Sequence, residues 1–417
     1  MRKRLVAVVF LVGVLLASGC AANGSSVSSD FNSKLKSIVS PYTFNLAGWE
    51  AGNVFSEIKQ SIFDRQPKSA LTSQAVMEYF SAIDQVSRLQ DQIQLAKAGT
   101  SQSDVTPNQS GLETLQKRVS DLKPIVEQKI AGQISDILAE QGVYNPLGLS
   151  WFKINFPPVD FKLADPLNEL IISPRDKIQR IKSITLDPDM TAVQMEQVES
   201  ALAALNVSAA VIQIGGLGAT YPSYVADNAD LRWTIDTAAH EWVHQYLAFK
   251  PLGFRYVLDL LGITANYDID TINETVADLI GQEIGTEVYS RYYAQYQTDA
   301  APAKSTTPIF DSNAALRQIR QQVDAYLAAA QIEQAEQYMN QQQQYLAAHG
   351  CFIRKLNQAY FAFYGTYADS PTSIDPTGTK IRLLRSHSLS IQDFLEQAAA
   401  LTSVADLNSI VDQYQNH

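Results

Sequence analysis

Apolar and polar positions alternate along this chain with several distinct periods. It opens on a positive cluster, Arg2-Lys3-Arg4, an unbroken apolar run over 5–16, and a Ser- and Gly-rich stretch over 23–30. From 31 to 143 the spacing is helical. Over 70–98, Val76, Tyr79, Phe80, Ile83 and Val86 recur three and four residues apart, which places them on one helix face. The polar segment 99–110, with Pro107, predicts a loop. Helical spacing returns over 112–139 through Leu115, Val119, Leu122, Ile125 and Ile134. Pro124, inside that run, is expected to kink or break it.

The pattern changes near Tyr144-Asn145-Pro146. Short apolar runs over 152–161, 170–172 and 181–186 predict strands, and 191–205 predicts a helix. Ala-Ala-Val-Ile-Gln-Ile over 209–214 predicts a further strand, ended by Gly215-Gly216-Leu217-Gly218. An amphipathic helix is expected over 230–249, closed by Pro251 and Gly253, and a second over 271–296. After a loop at 300–308, long helices fill most of the remainder. The segment 331–344 is rich in Gln, but Ile332, Ala335, Met339 and Tyr345 keep a helical spacing, so it reads as a solvated helix. No internal repeat is found. The fold class expected is mainly α with a small α/β region. Its parts are a leader (1–19), a flexible tether (20–32), a helical N-terminal region (33–148), an α/β core (149–300) and a C-terminal helical region (301–417).

The opening pattern is an address. A positive start followed by about a dozen apolar residues is too short to span a membrane and fits a secretion signal. The small residues of Leu16-Ala17-Ser18-Gly19, directly before Cys20, resemble the lipobox of bacterial lipoproteins. That resemblance implies cleavage before Cys20 and lipidation of its sulfur. The expected location is the bacterial cell envelope, on the outer face of a membrane, held through a lipid anchor. The chain has one other cysteine, so no internal disulfide is available, and Cys351 reads as a small apolar packing residue.

Charge narrows the partners. The net charge is -11 over 417 residues, and loss of Arg2, Lys3 and Arg4 would leave about -14. With no basic stripe to neutralise phosphates, no nucleic acid is expected as a partner.

Chemistry concentrates at His240-Glu241-Trp242-Val243-His244. Residues four apart share a helix face, so both imidazoles can reach one metal ion, and Glu241 beside them can take a proton from water without being a ligand. The chain holds only five histidines, and two fall at this spacing. A catalytic zinc takes a third protein ligand and keeps one position open. The segment Asn273-Glu274-Thr275-Val276-Ala277-Asp278 can supply it through Glu274, with Asp268, Asp270 and Asp278 as neighbouring acids. Asp278, one turn on, can accept a hydrogen bond from a ligating histidine.

These two segments resemble the gluzincin metallopeptidases, in whose thermolysin-like members HExxH is followed by Asn-Glu-x-x-Ser-Asp. The resemblance covers roughly 209–285. It implies Zn²⁺ on His240, His244 and Glu274, Glu241 as general base, and Asp278 bonded to His240. It implies a gluzincin-like core as well: a short sheet with an edge strand and two zinc-bearing helices, flanked by helical regions. Ala277 stands where those members have Ser, the gap from His244 to Glu274 is longer, and the Gly-x-Met-x-Asn signature of aminopeptidases is missing. A donor for the developing oxyanion is implied downstream; on the stretch 357–367 it is expected to be Tyr360 or Tyr364, with Tyr367 on the same face if the helix persists through Gly365, and His387 is a further candidate. Gly215 and Gly216 are expected to let a peptide approach an edge strand and bind there. The activity expected is hydrolysis of a peptide or protein substrate. Two alternatives stay open: a non-catalytic envelope scaffold or chaperone with a structural or vestigial metal, and a zinc hydrolase of a non-peptide amide.

Overall fold

A computed structural model describes residues 29–46, 48–49, 73–97, 106–147, 153–260, 263–264, 266–296 and 310–415. The leader, Cys20 and the tether up to residue 28 lie outside these. Among the described residues there are thirteen α-helices and two three-stranded sheets, so the chain is mainly helical with a small sheet region.

Helix α1 (Ser29–Val39) is followed by α2 (Ser73–Lys97) and α3 (Thr106–Glu140), which pack against each other. Of the loop expected over 99–110, residues 99–105 lie outside the described residues and 106–110 belong to α3, with Pro107 in its first turn, where a proline costs nothing in lost bonds. The break expected at Pro124 does not occur. Leu122, Val126, Ile130, Ile134 and Ile137 are buried on both sides of it. That burial outweighs the roughly 3 kcal/mol cost of a proline in a helix interior.

The sheet region holds β1 (Phe161–Ala164), β2 (Asn168–Pro174), β3 (Lys182–Leu186), α4 (Ala192–Ala203), β4 (Val207–Gln213), β5 (Gly216–Leu217) and β6 (Ser223–Ala226). The strand expected over 152–161 is irregular from 153 to 160, and only Phe161 enters a strand. Pro157 and Pro158 lack the N–H groups that a ladder needs. One sheet runs β3-β2-β4, antiparallel throughout; the other runs β1-β6-β5, with β1 parallel to β6. Side chains alternate across the first sheet as a two-residue period requires. Leu170, Ile172, Ala209 and Val211 face α1 and α4, while Ile171, Ala210 and Ile212 face the opposite way. The outer edge of β4 is closed by side chains. Glu199 accepts from Val211 N–H at 2.7 Å, Arg354 donates to the Val211 carbonyl at 2.8 Å, and Asn357 donates to the Ala209 carbonyl at 2.8 Å.

Helices α5 (Leu231–Leu247), α6 (Pro251–Leu260) and α7 (Tyr267–Tyr292) follow. Pro251 and Gly253 do more than end α5. Pro251 opens α6, and a Cβ at Gly253 would lie 2.6 Å from the Ala248 nitrogen, so glycine lets α6 fold back against the end of α5. The C-terminal part comprises α8 (Ser312–Ala328), α9 (Ile332–Ala348), α10 (Gln358–Tyr364), α11 (Pro376–His387), α12 (Ile391–Ala399) and α13 (Val404–Gln415). The Gln-rich stretch is helix α9, with Ala335 and Met339 buried. Ala359 and Ala362 of α10 cover the second face of the β3-β2-β4 sheet. The largest apolar core draws on α2, α3, α5, α7 and α11–α13 together.

Candidate metal centre

Helices α5 and α7 lie side by side. Asp230 starts α5 by accepting from Trp233 N–H at 2.9 Å, and Asn266 starts α7 by accepting from Ile269 N–H at 3.2 Å. The two helices meet along Gly281 and Gly285, four residues apart on α7. A Cβ at Gly281 would lie 2.8 Å from the Asp236 carbonyl oxygen and 3.0 Å from His240 Cβ. Small residues there bring α7 close enough for Glu274 to reach the histidines. The i, i+4 spacing of small residues carried this signal in the sequence.

His240, His244 and Glu274 are brought together, their ligand atoms all within 4.8 Å of one another. Glu274 Oε2 is 3.4 Å from Nε2 of His240 and 3.4 Å from Nε2 of His244, and the two Nε2 atoms are 2.9 Å apart. Ligands about 2.1 Å from a tetrahedral zinc stand about 3.4 Å from each other. Two of the three edges have that length, and two imidazole nitrogens with one carboxylate form a usual catalytic zinc set. His240 and Glu274 are buried, and His244 is partly buried. No other group of three metal-type side chains converges among the described residues.

The surrounding bonds orient the ligands. Asn273 Oδ1 is 2.6 Å from His244 Nδ1, so the proton belongs on Nδ1 and the Nε2 lone pair is free. Asp278 lies behind His240, with Oδ1 3.8 Å from Nδ1, an ion-pair separation longer than a hydrogen bond. Gln282 donates to Asp278 at 2.9 Å, and Asp369 also hydrogen-bonds to it. Burial opposes charge on Glu274, but the histidines outweigh it and hold its carboxyl well below the usual range. Burial also favours the neutral form of His240; its hydrogen bond to Glu274 and the charges of Glu241, Glu274 and Asp278 prevail and push it up to about 9.

Glu241 sits beside this cluster and is not one of its converging atoms. It is buried, which raises its pKa against the pull of the two histidines, and it accepts a hydrogen bond from Gly218 N–H. Strand β5 passes directly over it. A Cβ at Gly216 would lie 2.7 Å from Glu241 Cδ, and one at Gly215 would lie 2.6 Å from Trp233 Cη2. Gly216 pairs in register with Val225, and Ala226 N–H donates to the Gly215 carbonyl at 2.8 Å. The alternation of an antiparallel pair therefore turns the N–H and C=O of Gly216 away from β6.

The tyrosines are distributed differently from the expectation. Helix α10 ends at Tyr364, with Gly365 as its cap, so it does not persist to Tyr367. Tyr360 and Tyr364 line a separate cavity of about 240 Å³ with Tyr267, Leu316 and Arg320. It is Tyr367, on the turn after the helix, whose ring comes 6.2 Å from that of His240. Burial raises Tyr367 well above the usual phenol range, and the carboxylates of Glu274, Glu241, Glu169 and Asp278 add to this. His387 stacks on Tyr414, ring centroids 4.2 Å apart, among the C-terminal helices. Cys351 is half-buried against the α8–α9 core.

Sequence reasoning missed Tyr256 altogether. Its hydroxyl donates to Glu274 Oε1 at 2.6 Å, and its ring stacks on His244. It also missed Arg180, a buried cation paired with Asp259 and Asp270, and Asp369. These come from segments far apart in the chain, and none stands in a recognisable spacing. Comparison with family models, with curated proteins and with solved structures finds no match to this chain.

Proposed function

We propose that this chain is a zinc-dependent metallopeptidase of gluzincin type, anchored outside the cytoplasm through Cys20, which cleaves peptide or protein substrates. The observation that carries this reading is a three-ligand cluster with a buried glutamate next to it that is not a ligand. A structural zinc site is normally closed by four protein ligands and has no use for a base. His240, His244 and Glu274 would hold the zinc ion, which would supply Lewis acidity toward a substrate carbonyl and a water molecule. Glu241 removes the proton from that water and delivers it to the leaving amine nitrogen. Its raised pKa suits both halves of the transfer. Tyr367, protonated throughout the neutral range, donates to the oxygen on which charge develops. The outward N–H and C=O of Gly216 pair with an extended peptide backbone, which places the scissile bond over Glu241.

Metal analysis of purified protein tests the first step, with about one zinc per chain expected. Absence of bound metal after reconstitution would remove the basis of the reading. Glu241→Gln should then retain zinc and lose hydrolysis of a fluorogenic peptide mixture, whereas unchanged turnover would deny Glu241 its role. Among the described residues no helix is long and apolar enough to cross a membrane. Cys20→Ser should release the protein from membranes, and persistent association would count against the anchor.

A further inference from the structure

The two carboxylate oxygens of Glu274 have different neighbours. Oε2 faces the Nε2 atoms of His240 and His244 at 3.4 Å each. Oε1 accepts the Tyr256 hydroxyl at 2.6 Å. The Tyr256 ring also lies on the His244 ring, with centroids 5.3 Å apart and planes inclined by 13°. One side chain therefore touches two of the three residues of the cluster.

The helix that carries Tyr256 is itself fixed. Asp259, three residues on, accepts from Asn266 N–H at 2.8 Å, at the start of α7. Arg180, from the connection between β2 and β3, pairs with Asp259 at 3.3 Å and with Asp270 of α7. All three side chains are largely buried. The clasp ties the end of α6 to the helix that bears Glu274, so the phenol and the carboxylate keep their relative position.

We propose that Tyr256 is a positioning residue of the metal centre, holding Glu274 Oε1 so that the carboxylate offers a metal ion Oε2 alone. A carboxylate can bind zinc through one oxygen or two. Two-oxygen binding would take up the position that a catalytic site leaves for water. With Oε1 committed to the phenol, that position stays open beside Glu241. The inference rests on the metal reading given above and adds a residue that the three-ligand pattern does not contain.

The test uses the full chain and Tyr256→Phe, which removes only the hydroxyl. Zinc affinity, measured by chelator competition, is expected to fall about 10- to 100-fold. The visible spectrum of the cobalt-loaded variant is expected to weaken and shift, from the intense bands of four-coordinate cobalt toward those of a five-coordinate ion. A purely structural tyrosine would not move that spectrum. If wild type binds neither zinc nor cobalt, the metal reading fails. If wild type binds both and Tyr256→Phe matches it in affinity and spectrum, the role of Tyr256 is refuted and the metal reading stands. Should the variant not fold, a crystal structure of zinc-loaded wild type decides: coordination through Oε2 alone supports the proposal, and coordination through both oxygens overturns it.

Discussion

Gly216→Ala is a stringent test of how β5 and Glu241 work together. The added Cβ would stand 2.7 Å from Glu241 Cδ and 2.8 Å from Cγ. Unbonded carbons settle about 3.5–4.0 Å apart, so the carboxylate must retreat by about 1 Å. It has little room, since Glu241 is 6% exposed and α5 is held by the core on its other side. The retreat also disturbs the Gly218 N–H bond. A displacement near 1 Å at a reacting group can cost about 100-fold in rate, or about 2.7 kcal/mol of transition-state stabilisation. The expected result is a fall of that size in kcat/KM on a fluorogenic peptide mixture, with zinc content unchanged, because no atom of His240, His244 or Glu274 is among the three nearest to the new methyl. Thermal stability should also fall, by about 1–3 kcal/mol, the usual cost of overpacking a tight site. Gly132→Ala in α3 is the control: its Cβ would meet nothing within 4 Å, and it should be silent or slightly stabilising. Full activity in Gly216→Ala would show that Glu241 is not the base or that β5 does not constrain it.

Loading the centre with zinc at 100 times its dissociation constant should stabilise the fold by about 2.7 kcal/mol, seen as a higher melting temperature that a chelator reverses; an unchanged melting point would argue against the site. In metal-free protein, stability should fall as pH rises from 6.5 to 9. His240 is held up to about 9 against an ordinary 6.5, so its contribution is complete below 6.5 and is lost as pH climbs through 9. Asp236, raised by burial from 3.8 to about 6, acts in the same direction at lower pH. Urea midpoints from about pH 4 to 9 check both, and a midpoint that rises toward pH 9 would contradict the assignment. Arg180→Ala should cost about 3–5 kcal/mol in urea unfolding, since it leaves two buried carboxylates without their cation. Arg118→Ala, at an exposed pair with Glu78, should cost about 1 kcal/mol or less; equal losses would refute burial as the deciding factor.

What could be read from the sequence was local. The histidines four apart, the acid one turn beyond Glu274 and the long helices follow from the periods of a helix, which act over a few residues. The shared face of the three tyrosines hung on a condition for a related reason. Tyr360, Tyr364 and Tyr367 share a face only if one helix carries all three, and the chain leaves the helix at Gly365, where Thr366 hydroxyl turns back to the Phe363 carbonyl at 2.7 Å. Pro251 looked like a terminator because proline suits both the end of one helix and the start of the next. Tyr256 and Arg180 were not legible at all. Their partners lie 18 and 90 residues away, and a tyrosine in an apolar run carries no mark of the carboxylate it meets.

Helix α3 shows how far the core reaches beyond the HExxH motif. From α3, Gln133 accepts the Tyr293 hydroxyl at 2.6 Å, Glu140 takes both oxygens to Arg291, and beyond its end Gln141 donates to Glu287 at 2.8 Å. Each of these partners lies at the far end of α7 or just past it. Buried Glu127 accepts from Leu163 N–H at 2.8 Å and from Lys162 at 3.2 Å, which joins α3 to β1 as well. Val126, Ile130 and Ile134 sit in the same apolar core as Ile235, Ala239 and Val243 of α5. The N-terminal helices thus brace the backs of both helices that carry His240, His244 and Glu274. Removing them would expose that core, so the part that positions Glu274 against His240 and His244 extends to α3 and cannot be trimmed to the segment that bears the motif.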